Sequence, residues 1–124
     1  MGEGPYTEAV RAPESELRTV YFDFDRSEIR SDQIARMEKN AQFLVDNPEK
    51  RIRIDGHCDE RGSLEYNIAL GARRAHQVKD FLVSRGVDPD RIMTISRGEE
   101  DPDVEGSGEA VWSKNRRAEF FYIR

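Results

Sequence analysis

Cysteine is almost missing from this chain. Cys58 is the only one among 124 residues, so no intramolecular disulfide can form and the fold must rest on a packed core. That scarcity leans only weakly toward a reducing compartment, since many exported domains also lack disulfides. Long apolar runs are missing too: no stretch approaches the roughly 20 residues of a membrane helix. Met1-Gly2-Glu3-Gly4-Pro5 has neither the basic start nor the apolar run of a secretory leader. A basic excess is absent, with 20 Lys and Arg against 25 Asp and Glu and a net charge of −5. This argues against nucleic acid as a partner, which requires a surface that neutralises phosphates. Histidine is scarce, and the neighbours His57, Cys58 and Asp59 cannot wrap tetrahedrally around one ion, with His76 the only other imidazole. No nucleophile motif occurs, and glycines at 56, 62 and 71 match no phosphate loop. Neither metal nor cofactor is expected, and no internal repeat is evident.

What is present describes one heavily solvated domain, 36% hydrophobic and 36% charged. Residues 1–17 are polar, carry Pro5 and Pro13, and read as a flexible lead-in to a domain over 18–124. Alternation predicts a strand from Thr19 to Phe24, with Val20, Phe22 and Phe24 inward. Asp25-Arg26-Ser27-Glu28 has the spacing of a capped turn. A helix follows from Ser31 or Asp32, with Ile34, Met37, Ala41, Leu44 and Val45 on its apolar face, and stops before Asn47-Pro48. Arg51–Asp55 reads as a strand whose Arg51, Arg53 and Asp55 face water or polar groups. The second helix is expected from about Ser63 to Arg85, with a stripe of Ile68, Ala72, Ala75, Val78 and Leu82 and a stop at Gly86. A strand over Arg91–Ser96, a long loop from Gly98 to Asn115 with room for a short helix at Glu109–Lys114, and a last, central strand over Ala118–Ile123 complete the order. The result is an α/β (α+β) two-layer sandwich with a mixed sheet and both helices on one face.

The chemistry gathers between residues 54 and 75. Gly56 releases the backbone from a strand, Asp59-Glu60-Arg61 follows, and a helix opens after Gly62. Asn67 and Arg74 are seven residues apart on that helix, about 20° out of register. Arg74 falls at the edge of the expected apolar stripe, held yet reachable. Asp59 and Arg74 offer an acceptor and a bidentate donor to a ligand bearing both charges. The same residue types equally fit an internal role, with Asp59 capping the helix or pairing with Arg61 or Arg74. A glycosidase would need two carboxylates, and Asp55, Asp59 and Glu60 are its candidates, with no evident means of splitting their pKa values. His57 reads as strand-end packing and Cys58 as a small buried side chain.

Three motifs carry a resemblance: Gly56-His57-x-Asp59-Glu60-Arg61-Gly62, Tyr66-Asn67-Ile68-Ala69-Leu70 with Arg73-Arg74-Ala75, and Ser113-Lys114-Asn115-Arg116-Arg117. With Val20-Tyr21-Phe22-Asp23-Phe24-Asp25 ahead of them, the chain from about residue 18 resembles the OmpA-like C-terminal domains, and within these the peptidoglycan-associated lipoproteins. The resemblance implies an OmpA-like β-α-β-α-β-β fold. It further implies a non-enzymatic module that binds peptidoglycan through the diaminopimelate of the stem peptide. Asp59 and Arg74 would be the binding pair, Arg61 a second cation at the rim, Asn67 a donor and acceptor, Leu70 an apolar wall, and Phe24 and Asp25 part of the pocket. Arg74 would take the ligand carboxylate, aided by amides near Ser63 and Leu64, and Asp59 the ammonium. A TolB-like periplasmic protein is the implied protein partner. The implied place is the periplasmic face of the outer membrane, through a signal peptide and lipid-bearing cysteine that this sequence does not include. A porin or motor-stator domain is the alternative within the family. Alanine at Asp59 or Arg74 is expected to abolish wall binding while moving the thermal midpoint by only a few degrees.

Overall fold

The computed structural model describes residues 8–124. Its elements in chain order are β1 (Ala9–Arg11), β2 (Val20–Tyr21), α1 (Ile34–Asp46), β3 (Ile52–His57), α2 (Leu64–Ser84), β4 (Ile92–Gly98), α3 (Glu109–Asn115) and β5 (Arg117–Ile123). The sheet runs β1-β5-β3-β4, and β2 pairs with β5 beside β1. β3 is parallel to β4 and antiparallel to β5, so the sheet is mixed and β5 is internal, as its apolar character on both faces requires. Ile52, Ile54, Ala118 and Phe120 line one sheet face and pack with Met37, Ala41 and Leu44 of α1 and Ala75, Val78 and Leu82 of α2. Both long helices therefore share that face. No helix among the described residues is long and apolar enough to cross a membrane.

The N-terminal part departs from expectation. Residues 9–11 are a strand, not a lead-in: β1 pairs antiparallel with the end of β5, Ala9 opposite Ile123 and Arg11 opposite Phe121. Ala12 and Leu17 are buried in the core. Composition hides this because the backbone hydrogen bonds of β5, and not an apolar pattern, order the segment; the expectation for residues 1–7 lies outside the described residues. The strand expected over Thr19–Phe24 shrinks to β2, since the chain leaves the sheet where β5 begins. Phe24 accordingly ends 52% exposed. Residues 25–28 form no capped turn. The Arg26 N–H donates instead to the Asp23 carbonyl at 3.2 Å, with Asp25 in the left-handed region at φ 57°. Asp adopts this conformation more readily than most non-glycine residues.

Two glycines set how α2 lies on the sheet. A Cβ on Gly56 would fall 1.8 Å from the Gly71 carbonyl oxygen, and one on Gly71 would fall 2.4 Å from Ser96 Oγ. Helix and strand thus touch backbone to backbone. This contact, and not the Ile68/Ala72 stripe, defines the inward face of α2 in its first half. Asn67, Leu70, Gly71 and Arg74 point in, while Ile68 and Ala72 are exposed. In α1, Val45 is likewise exposed at 44%, and Asn40 takes an inward place, its side-chain amide bonding both backbone groups of Arg18.

The sheet face opposite the long helices is a buried layer of charge. Arg53 and Asp55 are paired at 2.7 Å, and Arg97 reaches Asp55 at 3.2 Å. Arg117 lies 2.7 Å from Glu119, with Arg11 at 3.3 Å and His57 Nε2 at 3.3 Å from the same carboxylate. Of the two sequence alternatives for this face, polar groups cover Arg53 and Asp55, while Arg51 is exposed to water. Burial alone would raise the Glu119 carboxyl, but His57 and the Arg117 guanidinium overcome it and hold it down at about 2, from an ordinary 4.5. A depressed folded-state value adds stability above the unfolded value and loses it as pH falls toward the folded one. Thermal midpoints followed from pH 5 to pH 2 should therefore fall less steeply in Glu119→Gln than in the unaltered protein; parallel curves would contradict this.

Candidate functional site

The cavity that gathers the candidate residues opens between the 23–26 turn, the 58–63 loop and the first turns of α2. It has a volume of about 540 Å³ and is lined by Phe24, Asp25, Cys58, Asp59, Arg61, Gly62, Ser63, Tyr66, Asn67, Leu70 and Arg74. All seven residues singled out in the sequence are on that wall. The volume falls in the range of small-molecule sites, roughly 300–1,000 Å³. Ser63 is the N-cap of α2, its side chain accepting from the Tyr66 N–H, so the helix N-terminus opens onto the cavity and Asp59 is not the cap.

Arg74 is not at the edge of a stripe. It is fully buried, because the Gly56–Gly71 contact turns this face of α2 toward the sheet. Its Nε donates to the Arg26 carbonyl at 2.8 Å, Nη1 to that of His57 at 2.8 Å and Nη2 to that of Asp23 at 3.0 Å. A guanidinium has five N–H groups, so two are left without an acceptor among the described residues. With the side chain wholly buried, a ligand reaches them only where the rim side chains move aside. No ion pair joins Arg74 to Asp59 among the described residues. Burial pulls the Arg74 guanidinium below its ordinary value, with the Asp59 charge opposing.

Asp59 is also buried and is heavily engaged. Oδ1 accepts from the Arg61 backbone N–H at 3.0 Å and from Arg61 Nε at 3.2 Å, and Oδ2 accepts from Arg61 Nη2 at 2.9 Å. Burial would raise its carboxyl, but the Arg61 hydrogen bonds and the charges of Arg61 and Arg116 keep it below the usual carboxylate range. The internal Asp59–Arg61 pairing weighed from the sequence is thus realised, and a ligand cation reaching Asp59 has to share with or displace Arg61. The guanidinium of Arg61 is stacked between two rings, 3.8 Å from the Phe24 centroid and 3.9 Å from that of Trp112. Its side chain remains 31% exposed.

Asn67 ties the loop to the helix. Its Nδ2 donates to the Arg61 carbonyl at 2.9 Å and to the Glu99 carboxylate. Asp25 accepts from the Tyr66 hydroxyl, which fixes the other rim. Tyr66 had a sequence signal only as a member of a motif and Ser63 only as the expected helix start with its amides. Trp112 lay in none of the motifs, and tertiary contacts alone reveal its part here. Cys58 has a buried thiol that donates to the Asn67 carbonyl at 3.2 Å; burial pushes it up to about 11, so it stays protonated near neutrality. The glycosidase trio is split. Asp55 lies in the charged layer on the other sheet face, and Glu60 accepts from Ser107 and Trp112 outside the cavity wall. Among the described residues no group of three acidic, histidine or cysteine side chains is arranged to hold a metal.

Comparison with known proteins identifies the family and agrees with the fold. A family model described as the OmpA family matches residues 21–116. The peptidoglycan-associated lipoprotein of Rhizobium meliloti is 50% identical over 99 residues, covering 80% of this chain and 56% of that protein. That of Pasteurella multocida is 43% identical over 114 residues, covering 92% of this chain and 76% of its own. The chain thus spans little more than half of the first relative's length. The crystal structure of the peptidoglycan-associated lipoprotein from Burkholderia pseudomallei superposes with a TM-score of 0.81 at 41% identity, covering 84% of this chain and 88% of that one.

Proposed function

From the premise that the chain belongs to the OmpA family, we propose that it binds peptidoglycan without cleaving it, through the diaminopimelate of the stem peptide. The observation that carries this reading is one open cavity with a cation and an anion on its wall that do not neutralise each other. Diaminopimelate presents a free amino-acid centre. Its carboxylate suits the two spare N–H groups of Arg74 and the first-turn amides of α2, where the helix dipole favours an anion. Its ammonium suits Asp59, in exchange with the partly exposed Arg61. Leu70 and Phe24 supply apolar wall, and Asn67 and Asp25 fix the loop and the turn that frame it. Such binding is reversible and of moderate strength, and many equivalent sites on a polymer make it effective as a tether.

The protein is then the periplasmic domain of an outer-membrane lipoprotein that holds the envelope to the wall, with a TolB-like protein competing for the same rim. Identities of 43–50% to lipoproteins of that name support this over a porin or stator domain. The test is co-sedimentation with purified sacculi. Lysine-type wall lacks one carboxylate of the side-chain centre, so it should be bound at least about tenfold more weakly than diaminopimelate-type wall, the loss of one charge-assisted contact of roughly 1.5–3 kcal/mol. Equal binding to both would remove Arg74 from the reading. Soluble fragments released during incubation would make the protein a hydrolase instead.

A further inference from the structure

The Asn115-Arg116-Arg117 run forms no part of the cavity wall, yet all three side chains are buried. Two of them serve the fold. Asn115 Oδ1 accepts from the backbone N–H groups of Asp103 and Val104 at 2.8 and 3.0 Å, and Arg117 neutralises Glu119. Arg116 differs, because its Nη1 lies 3.5 Å from Asp59 Oδ2.

We propose that Arg116 is a positioning residue for Asp59, fixing that carboxylate from outside the cavity so that it stays aimed at the ligand when Arg61 gives way. The inference rests on the cavity being the ligand site. Arg116 cannot itself follow a ligand: Nε donates to the Phe22 carbonyl at 2.8 Å, and Nη1 and Nη2 donate to the Glu109 carboxylate at 3.2 and 2.8 Å. Its side chain is 5% exposed, against 31% for Arg61. The charged and titratable groups that face Asp59 are Arg61 and Glu60 of its own loop, its neighbour Cys58, Arg74 of α2, and Arg116 with Glu109 at the two ends of α3. Arg74 is committed to three carbonyls and Arg61 is the group a ligand ammonium replaces. Arg116 is the cation left to Asp59 in the bound state.

The test is co-sedimentation with diaminopimelate-type sacculi as a function of pH for the unaltered protein, Arg116→Gln and Arg116→Lys. An opposite charge this close lowers an Asp pKa by roughly one unit or more, so Arg116→Gln should move the acid limit of binding upward by about one pH unit. Arg116→Lys keeps the charge and should retain the unaltered profile, even if its thermal midpoint falls. A merely structural arginine would weaken binding equally at every pH, and an unshifted acid limit in Arg116→Gln overturns the proposal. If Arg116→Gln does not fold, Arg116→Met, which also removes the charge, is read in its place: an upward shift of the acid limit supports the role and an unshifted limit refutes it. If neither folds, Arg116 is structural and the proposal fails. Unaltered protein that does not sediment at any pH overturns the reading of the cavity itself.

Discussion

Arg74→Ala is expected to cost the fold as well as the binding. The side chain donates to the backbone carbonyls of Asp23, Arg26 and His57, which belong to the 23–26 turn and the end of β3. Alanine leaves these acceptors without their donor, the His57 carbonyl in the buried interior and the Asp23 and Arg26 carbonyls at a half-buried turn. Each such loss costs about 1–3 kcal/mol, and neighbouring losses are not additive, so a total of roughly 3–5 kcal/mol is expected. For a domain of this size that lowers the thermal midpoint by roughly 10–20 °C. The sequence-level expectation of a shift of only a few degrees is thereby revised. Arg74→Lys separates the two roles: one ammonium cannot meet three diverging carbonyls and a carboxylate together. It should fold at a lowered midpoint and still fail to sediment with sacculi. Circular dichroism melts of both variants check this, and an alanine variant melting with the unaltered protein would mean the three bonds are dispensable.

Asp59→Asn should lose wall binding by about 10- to 100-fold, the equivalent of one charge-assisted hydrogen bond. Unlike Arg74, Asp59 can be replaced at modest structural cost. Arg61 keeps its stack between Phe24 and Trp112, and Arg116 keeps Glu109 and the Phe22 carbonyl. The expected loss of stability is about 1–2 kcal/mol at neutral pH. The sign of its pH dependence follows from the depressed carboxyl: the contribution is complete above the unfolded value near 3.9 and disappears as pH falls through the lower folded one. Sedimentation of the asparagine variant at the unaltered level would reduce Asp59 to the internal partner of Arg61.

Most elements could be read from the sequence because their signals are local. Asn47-Pro48 ends α1, Gly86 ends α2, and the apolar alternation on both faces of β5 makes it internal. Five of the seven candidate residues, Asp59, Arg61, Asn67, Leu70 and Arg74, share one cavity because a loop and the helix it enters are adjacent in the chain, so their spacing already restricts their geometry. Phe24 and Asp25 reach it from a turn distant in sequence. What escaped was non-local. Nothing in Ala9–Arg11 announces that the far end of β5 will pair with it. The depth of Arg74 depends on a glycine contact between two elements, and helical periodicity alone assigned that inward position to Ile68 and Ala72. The contact of Asp59 with Arg116 likewise needs residues 57 apart in sequence to meet, which no periodicity encodes.

The seam between Gly56 and Gly71 also limits how the protein can respond to what it holds. With main chain pressed on main chain, α2 cannot slide or roll over β3 to enlarge the opening, since any such travel would collide with a carbonyl. The floor is therefore stiff, and if the cavity takes stem peptides as proposed, adaptation to different ones would fall to the side chains along the lip, Arg61, Phe24 and Tyr66. Selectivity among walls would then be tuned there, by single substitutions that leave the seat beneath them unmoved.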